Sequence, residues 1–226
     1  MLSVDGLRFA YRRGAEELFG GLTHAFAPGA VTALTGPSGR GKSTLLYVLG
    51  LLLTPTQGQV VLGQTVVSDA SDAQRSALRA HRIGFVFQDA ELDPSRRVID
   101  SVLEPALYAG HTREEKLGRA HALLAQFGLA HRADHRPGQV SGGQAQRLAV
   151  CRSLLMDPDI VLADEPTGNL DRDNATGVLA ALSAAAGGAG NAGESERDGI
   201  GDVPRTVLIA THDPFVIEHA DEVLSL

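Results

Sequence analysis

The stretch GPSGRGKSTLL at residues 36–46 sets three glycines, one lysine and two adjacent hydroxyls ahead of two leucines. Gly36, Gly39 and Gly41 can adopt backbone angles closed to other residues, so successive N–H groups can curl around an anion. The Lys42 ammonium then reaches terminal phosphates, and the Ser43 hydroxyl can ligate Mg²⁺. A helix that starts here aims its positive end at the same anion. The loop from Gly36 through Pro37, Ser38, Gly39, Arg40 and Gly41 to Lys42, Ser43 and Thr44 therefore reads as a cradle for a nucleotide polyphosphate with its magnesium.

Two further stretches fit the same ligand. DIVLADEP at 159–166 is an apolar strand that ends in two carboxylates, where the chain leaves the sheet and both acids can approach a ligand crevice. Asp164 suits the magnesium shell, through water, and Glu165 is placed to polarise a water that attacks the γ-phosphate. VSGGQAQRLAVCRSLL at 140–155 opens an amphipathic helix in which Ser141 and Gln144 have capping-box spacing. Gly142 and Gly143 leave that helix start open as a second anion site. One nucleotide with two anion sites makes sense if the second covers a nucleotide held by another subunit.

The elements that must position these residues alternate between short apolar strands and helices, the pattern of an α/β fold with a mainly parallel sheet. Strands are expected at 2–9, 30–35, 58–63, 83–88, 159–164, 206–211 and 222–226. Turn signals at Pro28-Gly29 and Gln57-Gly58 predict that the early strands form a small N-terminal antiparallel β layer. Between 89 and 156 the strand signal vanishes, and Leu117, Ala120, Leu124 and Phe127 recur at helical spacing, which predicts an inserted α-helical subdomain. The chain is then a single P-loop domain, with 1–88 and 157–226 as core and 89–156 as helical insert. Residues 184–203, rich in Gly, Ala and charge, are expected as a flexible surface loop.

Composition excludes several classes. Twenty basic against 27 acidic residues give a net charge of −7, which argues against nucleic acid as the main ligand. Cys151 is the sole cysteine, so no internal disulfide forms, as suits a reducing compartment. No run of about 18 apolar residues occurs and the first residues contain no apolar signal core, so a chain that neither spans a membrane nor is secreted is expected.

The ordered set GPSGRGKST, FVFQD, VSGGQAQR, IVLADEPTGNLD and ATHD resembles the ATP-binding subunit of ABC transporters over essentially the whole chain outside 184–203. ADEPTGNLD is most similar to the lipoprotein-release and macrolide-efflux branch, although Asp93-Pro94 departs from that branch and Val140 replaces the usual leucine. The resemblance implies two ATPase domains packed head to tail, each ATP lying between one P-loop and the other subunit's signature motif. It implies that Tyr11 stacks on adenine and that Gln88 contacts magnesium and the attacking water. It makes Ser141 and Gly143 the residues that reach the partner's γ-phosphate, Asp171 a carboxylate that crosses the interface, and His212 the switch that holds the γ-phosphate and orients Glu165.

The expected protein is therefore an ATP hydrolase using ATP and Mg²⁺, a homodimer or pseudo-dimer that powers a separate transmembrane permease. It would be cytoplasmic, peripheral on the inner face of the cell membrane, with the helical insert, 89–135 especially, receiving the permease. The resemblance also leads us to expect no regulatory domain after the last strand. An alternative within the same resemblance is an ATPase that drives a membrane signalling or mechanotransmission partner without moving a solute. A role in DNA repair or translation would call for a coiled-coil insertion or a second ATPase half, and neither occurs in this sequence.

Overall fold

The computed structural model describes residues 1–12, 14, 16–187 and 204–226. In chain order, β1 (Leu2–Phe9), β2 (Leu18–Phe26) and β3 (Val31–Thr35) lead into α1 (Lys42–Leu49). Next come β4 (Gln57–Leu62), β5 (Thr65–Val66), α2 (Asp72–Arg82) and β6 (Ile83–Val86). A helical stretch of α3 (Val98–Tyr108), α4 (Arg113–Gln126) and α5 (Gly142–Leu154) follows. The chain closes with β7 (Ile160–Asp164), α6 (Arg172–Gly187), β8 (Thr206–Ala210), α7 (Pro214–Glu218) and β9 (Glu222–Ser225).

Two sheets form, a parallel one in the order β6-β7-β8-β3-β9 and an antiparallel one in the order β2-β1-β4-β5. Every residue of β7 and β8 is buried, as a central parallel strand covered on both faces requires. Period-2 alternation sorts their side chains. Val161, Ala163, Val207 and Ile209 face a core shared with Val102, Leu124, Leu148 and Val178 of the helical layer. Ile160, Leu162, Leu208 and Ala210 face a second core with Leu45 and Leu46 of α1 and Val4, Leu7 and Phe26 of the antiparallel sheet. Both sequence expectations, the parallel sheet and the N-terminal antiparallel layer, are met.

Three elements differ from the sequence reading. β2 has a weak pattern, LFGGLTHAF, interrupted by two glycines, and it exists as a strand because β1 supplies its pairing through an irregular register. α2, which the strand-and-helix reading did not name, starts from a Ser71–Gln74 capping box, fully buries no side chain and packs only a partly buried Leu78 against the core. The expected loop at 184–203 begins too early. Residues 184–187 are the last turn of α6, where Ala185 and Ala186 sit in the core, because alanine favours helix and packs closely. The rest of that tract, 188–203, lies outside the described residues.

Candidate functional site

β3, between β8 and β9, delivers the glycine loop at the carboxyl end of the parallel sheet, and α1 begins directly after it. Gly36, Gly39 and Gly41 all have positive φ, at 138°, 84° and 96°. A Cβ at Gly36 would lie 2.7 Å from the Leu226 carbonyl oxygen, so the close approach of Leu226, just after β9, also requires glycine there. Gly41 caps α1 in the left-handed conformation with no side-chain cap. The first helical bond runs from the Leu45 N–H to the Gly41 carbonyl at 2.7 Å, which leaves the N–H groups of Lys42, Ser43 and Thr44 without helical partners. That is the donor set a phosphate needs. Lys42 Nζ donates to the Gly36 carbonyl at 3.0 Å, so its ammonium already lies over the loop.

Beside the loop, Ser43 Oγ donates to Asp164 Oδ1 at 2.9 Å and the Tyr47 hydroxyl donates to Oδ2 at 3.4 Å. A hydroxyl and a carboxylate side by side are hard oxygen donors suited to Mg²⁺, which takes one or two protein ligands and completes its shell with phosphate and water. Asp164 is only 8% exposed, and this burial pushes its carboxyl pKa up, against the bonds from Ser43 and Tyr47. Tyr47 is raised too, first by burial and then by the Asp164 charge. For a carboxyl raised in the fold, stability is lost as pH climbs through the raised pKa, so ionisation of the buried Asp164 weakens the fold. Asp164→Asn should consequently keep or raise the melting temperature of the nucleotide-free chain while abolishing Mg²⁺-dependent hydrolysis. Calorimetry and a phosphate-release assay on one preparation check both; a large drop in melting temperature would refute it.

Glu165 stands at φ 45°, a left-handed conformation that costs a non-glycine residue roughly 1–2 kcal/mol. The turn is held by its N–H donating to the Ala210 carbonyl at 2.9 Å. Its carboxylate accepts from Thr211 Oγ1 at 3.3 Å and contacts His212 Nδ1 at 2.7 Å. His212 is 77% exposed and Glu165 17%, so the histidine is the outer member of the pair and keeps Nε2 for a second partner. Gln88 follows β6. A Cβ at Gly168 would lie 3.7 Å from Gln88 Nε2 and 3.8 Å from Glu165 Cβ, which places the Gln88 amide beside the Glu165 turn. Tyr11, 64% exposed, shares a 2.7 Å hydrogen bond with Thr44 Oγ1 and stands edge-on to Phe9, so its ring borders the start of α1 with a face open.

The helix start expected as a second anion site is that of α5. Ser141 and Gln144 close the capping box, with the Ser141 N–H donating to Gln144 Oε1 at 3.0 Å and the Gln144 N–H donating to Ser141 Oγ at 3.3 Å. Ser141 and Gly142 are exposed, but Gly143 is buried, and a Cβ there would fall 2.0 Å from Asn174 Oδ1. Asn174 Nδ2 in turn donates to both Asp171 oxygens, at 3.0 and 2.9 Å, and its N–H donates to Oδ1. These bonds hold the Asp171 carboxyl below its ordinary pKa. Gly143 and Asp171 thus have packing and capping duties inside the chain, in addition to what the resemblance implied.

Contacts link Tyr11, Lys42, Ser43, Thr44, Asp164, Glu165 and His212 into one group around the glycine loop. Among the described residues, Ser141, Gln144 and Asp171 make no hydrogen bond to that group. Sequence reading missed Tyr47, Thr211 and Asn174. Tyr47 lies one helical turn beyond Ser43 on the same face, Thr211 lies inside the quoted ATHD and Asn174 three residues after GNLD, so helical spacing and strand-end position were the available signals.

A parallel sheet whose strand ends carry this glycine loop, a hydroxyl–carboxylate pair and a Glu–His pair defines a P-loop nucleotide hydrolase. The chain belongs to the ABC transporter family, whose model matches residues 19–168. It is 41% identical to the lipoprotein-releasing system ATP-binding protein LolD 1 of Rhodospirillum rubrum, over 100% of this chain and 94% of that protein. It is 42% identical to the macrolide export ATP-binding/permease protein MacB of Rhodopseudomonas palustris, over 88% of this chain and 28% of that one. Its fold is similar to the dimeric, post-hydrolysis ATP-binding cassette MJ0796 bound to ADP and Pi, with a TM-score of 0.80 and 31% identity over 100% of this chain and 94% of that one. The chain is an ATP-binding cassette and an ATP hydrolase, with relatives in the lipoprotein-release and macrolide-efflux branch.

Proposed function

We propose that two copies of this cassette, or one copy and a close relative, pack head to tail around two ATP molecules. The observation that carries this reading is that α1 starts without a side-chain cap and α5 starts with Ser141 and Gly142 exposed, with no hydrogen bond between their motifs in one chain among the described residues. Each nucleotide would take its phosphates from the Gly36–Ser43 loop of one copy and be covered by Ser141 and Gly142 of the other. Tyr11 would stack on the adenine. Glu165 would take the proton of the attacking water, held in place by Thr211 and His212, and Gln88 would flank that water. Mg²⁺, when bound, would neutralise charge on the phosphate oxygens, with Ser43, Asp164 and Gln88 as its side of the protein. Asp171, at the exposed start of α6, would face the partner copy.

Because each nucleotide bridges two surfaces, binding favours the closed pair, and loss of the γ-phosphate contacts reopens it. That cycle would drive a separate transmembrane permease. The sequence expectation put the permease on 89–135; a groove of about 660 Å³ supports a site at the edge of that insert, lined by Arg79 of α2, Phe85 of β6, Phe87, Glu91, and Glu104 and Tyr108 of α3. Exposed Tyr108 in its wall and Leu107, its neighbour in α3, would receive the apolar side of a cytoplasmic helix. No described helix is long and apolar enough to cross a membrane, in keeping with a cassette held on the cytoplasmic face of the cell membrane through its permease.

The test is the dependence of turnover on protein concentration. Hydrolysis per chain should climb with concentration and then level off, in step with an ATP-dependent shift from monomer to dimer in sedimentation. Constant turnover per chain from a species that stays monomeric at every concentration would overturn the composite site.

A further inference from the structure

The segment that carries Gln88 is gripped from one side by α5. Gln146, almost fully buried, donates Nε2 to the Phe87 carbonyl at 2.8 Å. Further along the same helix, Arg152 donates Nη2 to the Ala90 carbonyl at 3.0 Å and Nη1 to the Glu91 carbonyl at 3.1 Å. The three acceptors bracket Gln88. Glu91 has φ 46°, a conformation unfavourable for a residue with a Cβ, and the guanidinium on its carbonyl helps to hold it there. Among the described residues Arg152 makes no salt bridge, so its charge is directed at these carbonyls. Burial lowers the Arg152 pKa, with Glu104 and Glu91 opposing the shift from across the groove. Beyond Gln88, Asn169 Nδ2 donates to Asp89 Oδ1 at 3.4 Å and ties the segment to the turn after Glu165.

We propose that Arg152 is a positioning residue for hydrolysis: its two-pronged hold on the Ala90 and Glu91 carbonyls sets Gln88 beside Glu165. The planar fork suits this task, because one rigid group fixes two successive carbonyls where a lysine fixes one. The helix that carries the grip also carries Ser141 and Gly142 at its start, so the surface that covers the other copy's nucleotide and the setting of Gln88 move together. Arg152 also lines the groove assigned to the permease, which gives an occupant of that groove a direct route to Gln88. The proposal rests on the reading of Gln88 as the residue beside the attacking water.

A double-mutant cycle on the full chain, at a concentration where turnover per chain has levelled off, tests it. Arg152→Met should lower kcat about tenfold with the KM for ATP changed less than about twofold, because the P-loop is untouched and the reacting groups are displaced. In a Gln88→Ala background the same substitution should change kcat by less than about twofold. Equal fold losses in both backgrounds would overturn the positioning role. No loss from Gln88→Ala alone would instead remove Gln88 from the reaction, a separately visible failure of the underlying reading. If Arg152→Met does not fold, Arg152→Lys keeps the charge and should still cost about threefold in kcat, lost again in the Gln88→Ala background.

Discussion

Glu165→Gln should bind ATP as tightly as the unmodified chain and hydrolyse it about 10²–10⁴-fold more slowly. The substitution is nearly isosteric, so the Thr211 hydroxyl and the His212 ring keep a partner at the same place, and the Ala210 bond that holds the turn is a backbone bond the change does not touch. What disappears is the ability to take a proton from water. The left-handed backbone at Glu165 points the same way: the chain maintains an unfavourable conformation at the one residue whose carboxylate must leave the line of β7. With hydrolysis blocked, the ATP-bridged pair has no route to the weaker, post-hydrolysis contacts and should persist. Phosphate release together with sedimentation in MgATP measures both halves. Unchanged turnover would remove Glu165 as the base, and slow turnover without a lasting dimer would separate its chemistry from the proposed closure.

Lys42→Ala should raise the dissociation constant for ATP about 10- to 100-fold, the loss expected for one charge-assisted hydrogen bond worth about 1.5–3 kcal/mol. Among the described residues the ammonium bonds only to the Gly36 and Pro37 carbonyls of its own loop, so the fold there does not depend on it. The nucleotide-free melting temperature should therefore hold while the increase caused by added ATP shrinks. Titration calorimetry and thermal denaturation with and without ATP separate binding from stability. An unaltered affinity would contradict the phosphate cradle; a fall in the nucleotide-free melting temperature would show that the lysine has a structural duty.

What the sequence determined by itself is whatever depends on neighbours along the chain. The glycine loop, the Ser141–Gln144 cap and the paired acids after IVLA were legible because backbone conformation, capping and strand-end position are set within a few residues. The parallel strands were legible because strands buried on both faces must be continuously apolar. Tertiary structure decided the rest, where the cause lies far off in the chain. β2 is a strand because β1 pairs with it, and α6 extends to Gly187 because the core takes Ala185 and Ala186. Asp164 has a raised pKa because burial outweighs the hydroxyls of Ser43 and Tyr47, which come from another element. Gly143 must be glycine because Asn174 of α6 fills the space a Cβ would need, and Gln88 is aimed by Arg152 across a contact between the sheet edge and α5. Local rules name the chemical groups, but distances between groups on separate elements are fixed only when close packing brings those elements together.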